Sequence, residues 1–112
     1  MRTKICGITN LEDALDAINA GVDALGFVFY EKSPRYVTAD EAAKIIKQLP
    51  PFVQCVGLFV NENPQTINET CKIAKVDIAQ IISEDKSATY FDSLETKYIK
   101  VVRAQNENDI LK

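Results

Sequence analysis

The residues best suited to chemistry lie in Lys4-Ile5-Cys6-Gly7-Ile8-Thr9, where a short β-branched run delivers a thiol and a glycine to the start of a helix. In α/β proteins such junctions host chemistry, because strand ends hold side chains rigidly while the following loop stays open to ligand. An ordinary free thiol titrates near roughly 8.5, so modest stabilisation of the thiolate makes it a usable base at neutral pH. The competing reading is an inert strand cysteine chosen for size, and on the residues alone it is favoured, since free cysteine is commonly buried. Histidine is absent, which excludes Ser-His-Asp and Cys-His systems within the chain and most zinc catalysis. Acid–base work then falls to Cys, Asp, Glu, Lys or Tyr. The adjacent acids Glu84 and Asp85 read as a solvated loop before they read as a catalytic pair.

Composition bounds what such a site could serve. The 112 residues are 46% hydrophobic and 26% charged, with net charge −3, as in an ordinary globular domain or part of a larger one. No basic stripe is present, which argues against nucleic acid as a main partner. No apolar run is long enough to cross a membrane, and the first residues carry no signal-peptide core. The three cysteines, Cys6, Cys55 and Cys71, are odd in number and widely spaced. That pattern suits a reducing cytoplasm and argues against a disulfide framework or a zinc site. Neither a cofactor nor a metal is expected.

The elements that must position these residues follow from periodicity. Thr3 to Gly7 reads as a first strand. Thr9-Asn10-Leu11-Glu12 fits a capping box, and Leu11, Ala14, Leu15 and Ile18 recur at helical spacing until Gly21 closes the helix. Asp23 to Phe29 is nearly all apolar, as in a strand covered on both faces. Thr38 to Glu41 is a second capping box, followed by the stripe Ala42, Ile45, Ile46 and Leu49, which Pro50-Pro51 ends. Val53 to Val60 is a third strand. Asn63-Pro64 opens a third helix with Ile67, Cys71 and Ala74 on one face. Val76 to Ile82 and Tyr98 to Val102 read as further strands. A poorly patterned segment, Lys86 to Leu94, separates them, and a helix start is expected from Asn106 to Lys112. No internal repeat is evident at the residue level.

Strands alternating with short helices imply a parallel sheet. Two architectures share that alternation: an open five-stranded sheet of flavodoxin type, and the first four to five units of a (β/α)8 barrel of about 250 residues. Periodicity does not separate them.

Four segments carry a resemblance: KICGIT at Lys4 to Thr9, LEDAL at Leu11 to Leu15, GVDALGFVFYEKSPRYV at Gly21 to Val37, and VGLFVNENP at Val56 to Pro64. Together they resemble phosphoribosylanthranilate isomerase, a family of tryptophan biosynthesis. The resemblance implies that residues 1–112 are the N-terminal part of a single TIM (β/α)8 barrel. It implies an Amadori rearrangement of N-(5-phosphoribosyl)anthranilate to the corresponding aminoketose, with no redox or metal cofactor. Cys6 then matches the general base, Gly7 lets the backbone turn closely over the substrate, and Arg35 grips the anthranilate carboxylate with its paired donors. Asn61 stands at the corresponding end of the third strand, as a strand terminator or lead into the next cap. Arg103 fits the family's strand-end arginine loosely.

The resemblance also says what to expect elsewhere. Where the family reads Gln-Leu-His-Gly in the fourth strand, this chain has Gln80-Ile81-Ile82-Ser83, so an apolar Ile82 replaces a hydrogen-bonding group. The family's general acid, an Asp on a sixth strand, and its phosphate loops after the seventh and eighth strands have no counterpart among these residues. The 112-residue chain by itself is therefore expected to be inactive. The alternative is a non-catalytic half-barrel that self-associates through exposed sheet edges, joins a complementary C-terminal half, or binds a small molecule.

Overall fold

The computed structural model describes residues 3–83 and 88–101. Its elements alternate without exception: β1 (Lys4–Cys6), α1 (Leu11–Asn19), β2 (Ala24–Val28), α2 (Ala39–Ile46), β3 (Gln54–Val60), α3 (Pro64–Ala74), β4 (Ile78–Ile82), α4 (Ala88–Asp92) and β5 (Lys97–Val101). Glu84, Asp85, Val102, Arg103 and the expected helix at 106–112 lie outside the described residues. The strands form one sheet in the order β1-β2-β3-β4-β5, and every neighbouring pair is parallel. That order separates the two architectures. A flavodoxin-type sheet reverses strand order at a switch point, whereas a barrel wall lays each strand beside the last. Right-handed crossovers then place all the helices on one face.

The other face is concave. Lys4 Nζ, on β1, donates a hydrogen bond to Gln80 Oε1 on β4, although β2 and β3 lie between. On a flat sheet three strand spacings would separate those backbones by roughly 14 Å. Toward the helices the sheet buries Leu25, Phe27, Cys55, Phe59, Ala79 and Ile81 in a single core with residues of α1, α2 and α3. All five residues of β2 are buried, as its unbroken apolar run requires.

Local chemistry sets the helix ends. Thr38 and Glu41 form the expected capping box of α2, and Asn63 caps α3 ahead of Pro64. At α1 the cap lies one residue later than expected. Asn10, not Thr9, accepts from the Asp13 backbone N–H at 2.8 Å, and its amide donates back to the Asp13 carboxylate at 3.0 Å. Asparagine is the stronger cap, and Asp13 takes the place expected of Glu12. The inward stripe of α1 moves as well. Ala14 and Ala17 are buried, whereas Leu15 is 39% exposed on the flank. The C-terminus of α1 closes as Gly21 adopts φ 94°. Gly21 N–H donates to Ile18 O at 2.9 Å and Val22 N–H to Ala17 O at 3.2 Å, the double bond pattern of a Schellman turn.

One device appears twice. Gly21-Val22-Asp23 and Lys75-Val76-Asp77 each pair a left-handed residue (φ 94° and 65°) with a core-directed valine and an aspartate. Asp23 accepts the Thr3 backbone N–H at 2.9 Å, and Asp77 accepts that of Cys55 at 2.8 Å. The backbone N–H of each aspartate donates back to the carbonyl of the same residue, at 2.9 and 2.8 Å. The carboxylates thus tie the start of one strand to its neighbour and fix the register. Asp77→Ala should cost about 1–3 kcal/mol in urea denaturation, because the Cys55 N–H loses its acceptor. Lys75→Gly should instead stabilise the fold by about 1 kcal/mol, because glycine removes the left-handed penalty that Lys75 bears.

Candidate active site

Cys6 ends β1 opposite Gly26. The N–H groups of Gly7 and Ile8 both donate to Gly26 O, at 2.9 and 3.0 Å, which pins the turn just after the thiol. Gly26 also makes room for it, since a Cβ there would lie 2.9 Å from Cys6 Sγ. The thiol therefore sits half-buried on the concave face, away from the helices.

Gly7 follows with φ 94°, a conformation costly for any other residue. A second constraint also acts there. A Cβ at Gly7 would fall 2.4 Å from Arg35 Cδ and 2.8 Å from Arg35 Nη1. The path of the β2–α2 loop explains why Arg35 arrives at that point. Ser33 N–H donates to Tyr30 O at 3.0 Å, and Arg35 N–H donates to Ser33 Oγ at 3.1 Å. Tyr36 then lies parallel beside Val28, and Val37 N–H reaches Val28 O at 3.0 Å. The loop doubles back and lays the arginine across the end of β1, where Nη1 donates to Cys6 O at 3.3 Å. Cys6, Gly7 and Arg35 thus meet at one point, although 29 residues separate the first from the last.

They lie at one end of a groove of about 580 Å³ that runs along the flank of α1, past Ile5, Asp13, Asp16 and Ala20. A groove of about 600 Å³ also opens on the concave face around Lys4, Gln54, Gln80 and Ile99, but toward the amino ends of the strands. Chemistry in barrels of this kind belongs at the carboxyl ends, so the cluster of Cys6, Gly7 and Arg35 is the candidate site. The guanidinium is exposed and spends one donor on Cys6 O, which leaves the rest of its fork for a carboxylate.

The remaining sequence-based candidates are also placed. Asn61 has φ 48° and ends β3, its N–H still donating to Ile82 O at 2.8 Å. Ile82 ends β4 beside Val60, on the concave side with Gln80. No role for Lys4, Gln80 or Ser33 follows from sequence. Period-two spacing places Lys4 on the same face as Cys6, but its partner on β4 depends on sheet curvature. Among the described residues no group of three or more metal-ligating side chains is placed to hold a metal ion. No described helix is long and apolar enough to cross a membrane.

The other two thiols are core residues. Burial, helped by the charge of Asp77, pushes Cys55 up to about 11, and burial pushes Cys71 up to about 11 against a hydrogen bond with Thr96. The folded state holds these protons longer than the unfolded chain does. Stability is therefore complete below the ordinary thiol range and falls as pH rises toward about 11. The loss should reach on the order of 2 kcal/mol per thiol. Urea midpoints measured across that range should fall, and less steeply in Cys55→Ala.

The family model for N-(5'-phosphoribosyl)anthranilate (PRA) isomerase matches residues 3–112. An N-(5'-phosphoribosyl)anthranilate isomerase of a Nitratiruptor species is 60% identical over 111 residues, which is 99% of this chain and 56% of the relative. A phosphoribosyl anthranilate isomerase crystallised with reduced 1-(o-carboxyphenylamino)-1-deoxyribulose 5-phosphate superposes with a TM-score of 0.88 at 42% identity, covering 99% of this chain and 58% of that one. Monomers generated from the dimeric Thermotoga maritima enzyme give a TM-score of 0.87 at 39% identity, with the same coverage. The chain thus spans about half the length of the relatives it matches. A five-stranded curved parallel wall with Cys6 and Arg35 gathered over Gly7, and a match running from residue 3 to residue 112, show that this chain belongs to the N-(5'-phosphoribosyl)anthranilate isomerase family.

Proposed function

We propose that this chain supplies the base-bearing half of an isomerase acting on N-(5-phosphoribosyl)anthranilate, an aminoaldose phosphate, and converting it to the aminoketose. The observation that carries this reading is the meeting of Cys6 and Arg35 at the carboxyl end of β1. The rearrangement first needs an acid to protonate the ring oxygen, opening the furanose to a Schiff base. A base must then take the C2' proton, giving an enolamine that tautomerises to the ketone. Cys6 is the base. Its thiolate accepts the C2' proton, and its half-buried position keeps the sulfur in reach of ligand while the strand fixes its direction. Arg35 holds the anthranilate carboxylate through the donors not spent on Cys6 O. Gly7 keeps the backbone beneath them free of a side chain. A related isomerase binds a reduced aminoketose phosphate that carries a carboxyphenyl group, and Arg35 suits that carboxylate. The acid partner and the phosphate grip belong to barrel units beyond those described.

The substrate partner is accordingly a phosphosugar, and the free cysteines suit a cytoplasmic setting. Association between copies has a precedent in the dimeric Thermotoga maritima relative. The test is loss of anthranilate-ester fluorescence in a family-length barrel that begins with this chain. Turnover of the phosphoribosyl substrate is expected. A correctly folded family-length barrel that leaves the fluorescence unchanged would overturn the reading.

A further inference from the structure

Arg35 does more than its proposed role as a carboxylate ligand requires. Its Nη1 donates to the carbonyl of Cys6 itself at 3.3 Å, and its Cδ and Nη1 occupy the space that a Gly7 Cβ would fill, at 2.4 and 2.8 Å. The Ser33 hydroxyl in turn holds the Arg35 backbone at 3.1 Å. The guanidinium therefore clamps the peptide between Cys6 and Gly7, on the side opposite the two N–H bonds to Gly26 O. We propose that Arg35 is a positioning residue for Cys6. It fixes the end of β1 that carries the thiol, so that substrate binding and base orientation are coupled through one side chain.

The coupling is chemically consistent. A guanidinium has five N–H donors, and one suffices for Cys6 O, so an edge stays available for a bidentate carboxylate. A carboxylate seated there would immobilise the guanidinium and, through it, the Cys6 peptide. Gly7 is part of the same device, because any side chain at that position expels the arginine from the clamp. This inference deepens the isomerase reading and rests on it for the identity of the carboxylate. The clamp itself can be tested without substrate.

The readout is hydrogen exchange of the Gly7 and Ile8 backbone N–H groups, followed by NMR on the family-length barrel. Both donate to Gly26 O, so their exchange reports how firmly the end of β1 is held. Arg35→Ala is expected to speed their exchange about tenfold, because the peptide beside them loses its clamp. In turnover it should lower kcat as well as raise KM. Gly7→Ala should speed exchange at Ile8 in the same way, and the double variant should be no faster than Arg35→Ala, since both changes abolish one clamp. If Gly7→Ala does not fold, Arg35→Ala decides alone. Exchange in Arg35→Ala that is unchanged or slower would make Arg35 a ligand and nothing more, and would overturn the inference. That result leaves the isomerase reading intact. Absence of turnover in the unaltered barrel would defeat that reading, while the exchange result would still judge the clamp.

Discussion

Cys6→Ala in a family-length barrel should lower kcat by about 100- to 10,000-fold, the range for loss of a general base, while KM changes little. Three features make this loss one of chemistry. The thiol is half-buried, so deleting one sulfur from the concave face removes little packing. The backbone bonds that hold its strand end, from Gly7 and Ile8 to Gly26 O, do not involve the side chain. The carboxylate ligand proposed for the substrate is Arg35, whose contact with this residue is through its carbonyl, which alanine retains. Cys6→Ser should recover little, because a serine hydroxyl gives almost no anion near neutral pH. Gly26→Ala is the informative companion. It leaves the thiol present but puts a methyl 2.9 Å from Sγ, and it should reduce kcat by displacing the base. Fluorescence-monitored turnover checks all three. Normal turnover in Cys6→Ala would remove this residue from the chemistry.

The largest expected effect on stability is at Phe27. This residue is 0% exposed on the helix-facing side of β2, the strand buried along its whole length. Phe27→Ala removes a full ring from the layer between sheet and helices, and large-to-small changes of this kind cost about 3–5 kcal/mol. Leu25, Phe59 and Ile81 in the same core are themselves fully buried, so little can collapse into the space. A loss of that size is a large part of the roughly 5–15 kcal/mol that holds a domain together. Leu15→Ala, by contrast, should stay within about 0.5 kcal/mol, because Leu15 is 39% exposed. Urea denaturation of both variants gives the comparison. A small effect at Phe27 would contradict the core as described.

Much of the wall could be read from residue order. Strand and helix limits agree to within a few residues, and the Thr38–Glu41 and Asn63–Pro64 helix starts are as expected, because caps are local chemistry. The misplacement at Thr9 shows the limit of that reasoning: two adjacent residues can each cap, and only backbone geometry chooses Asn10. Strand order could not be read from periodicity, since singly and doubly wound sheets present the same alternation, and only the resemblance pointed to a barrel. The members proposed for the candidate site could be named from the sequence, but their connections could not. Nothing in residues 6 and 35 alone says that a guanidinium crosses Gly7 to reach a carbonyl, because that contact depends on a loop turning on Ser33. The Lys4–Gln80 bond is further out of reach, being a consequence of curvature accumulated over four strands.

The aspartate ties at Asp23 and Asp77 bear on how the chain reaches this state. Each closes a strand–helix–strand segment across only 20 or 22 residues, so the entropic cost of closure is small and the pairing it secures is local. A segment of that span can pair its two strands before distant ones exist. During synthesis, when amino-terminal segments emerge first, β1 and β2 can join around α1 while β3 is still within the ribosome. The strand that carries Cys6 would then be anchored, and its register settled, before the later strands of the sheet have been made.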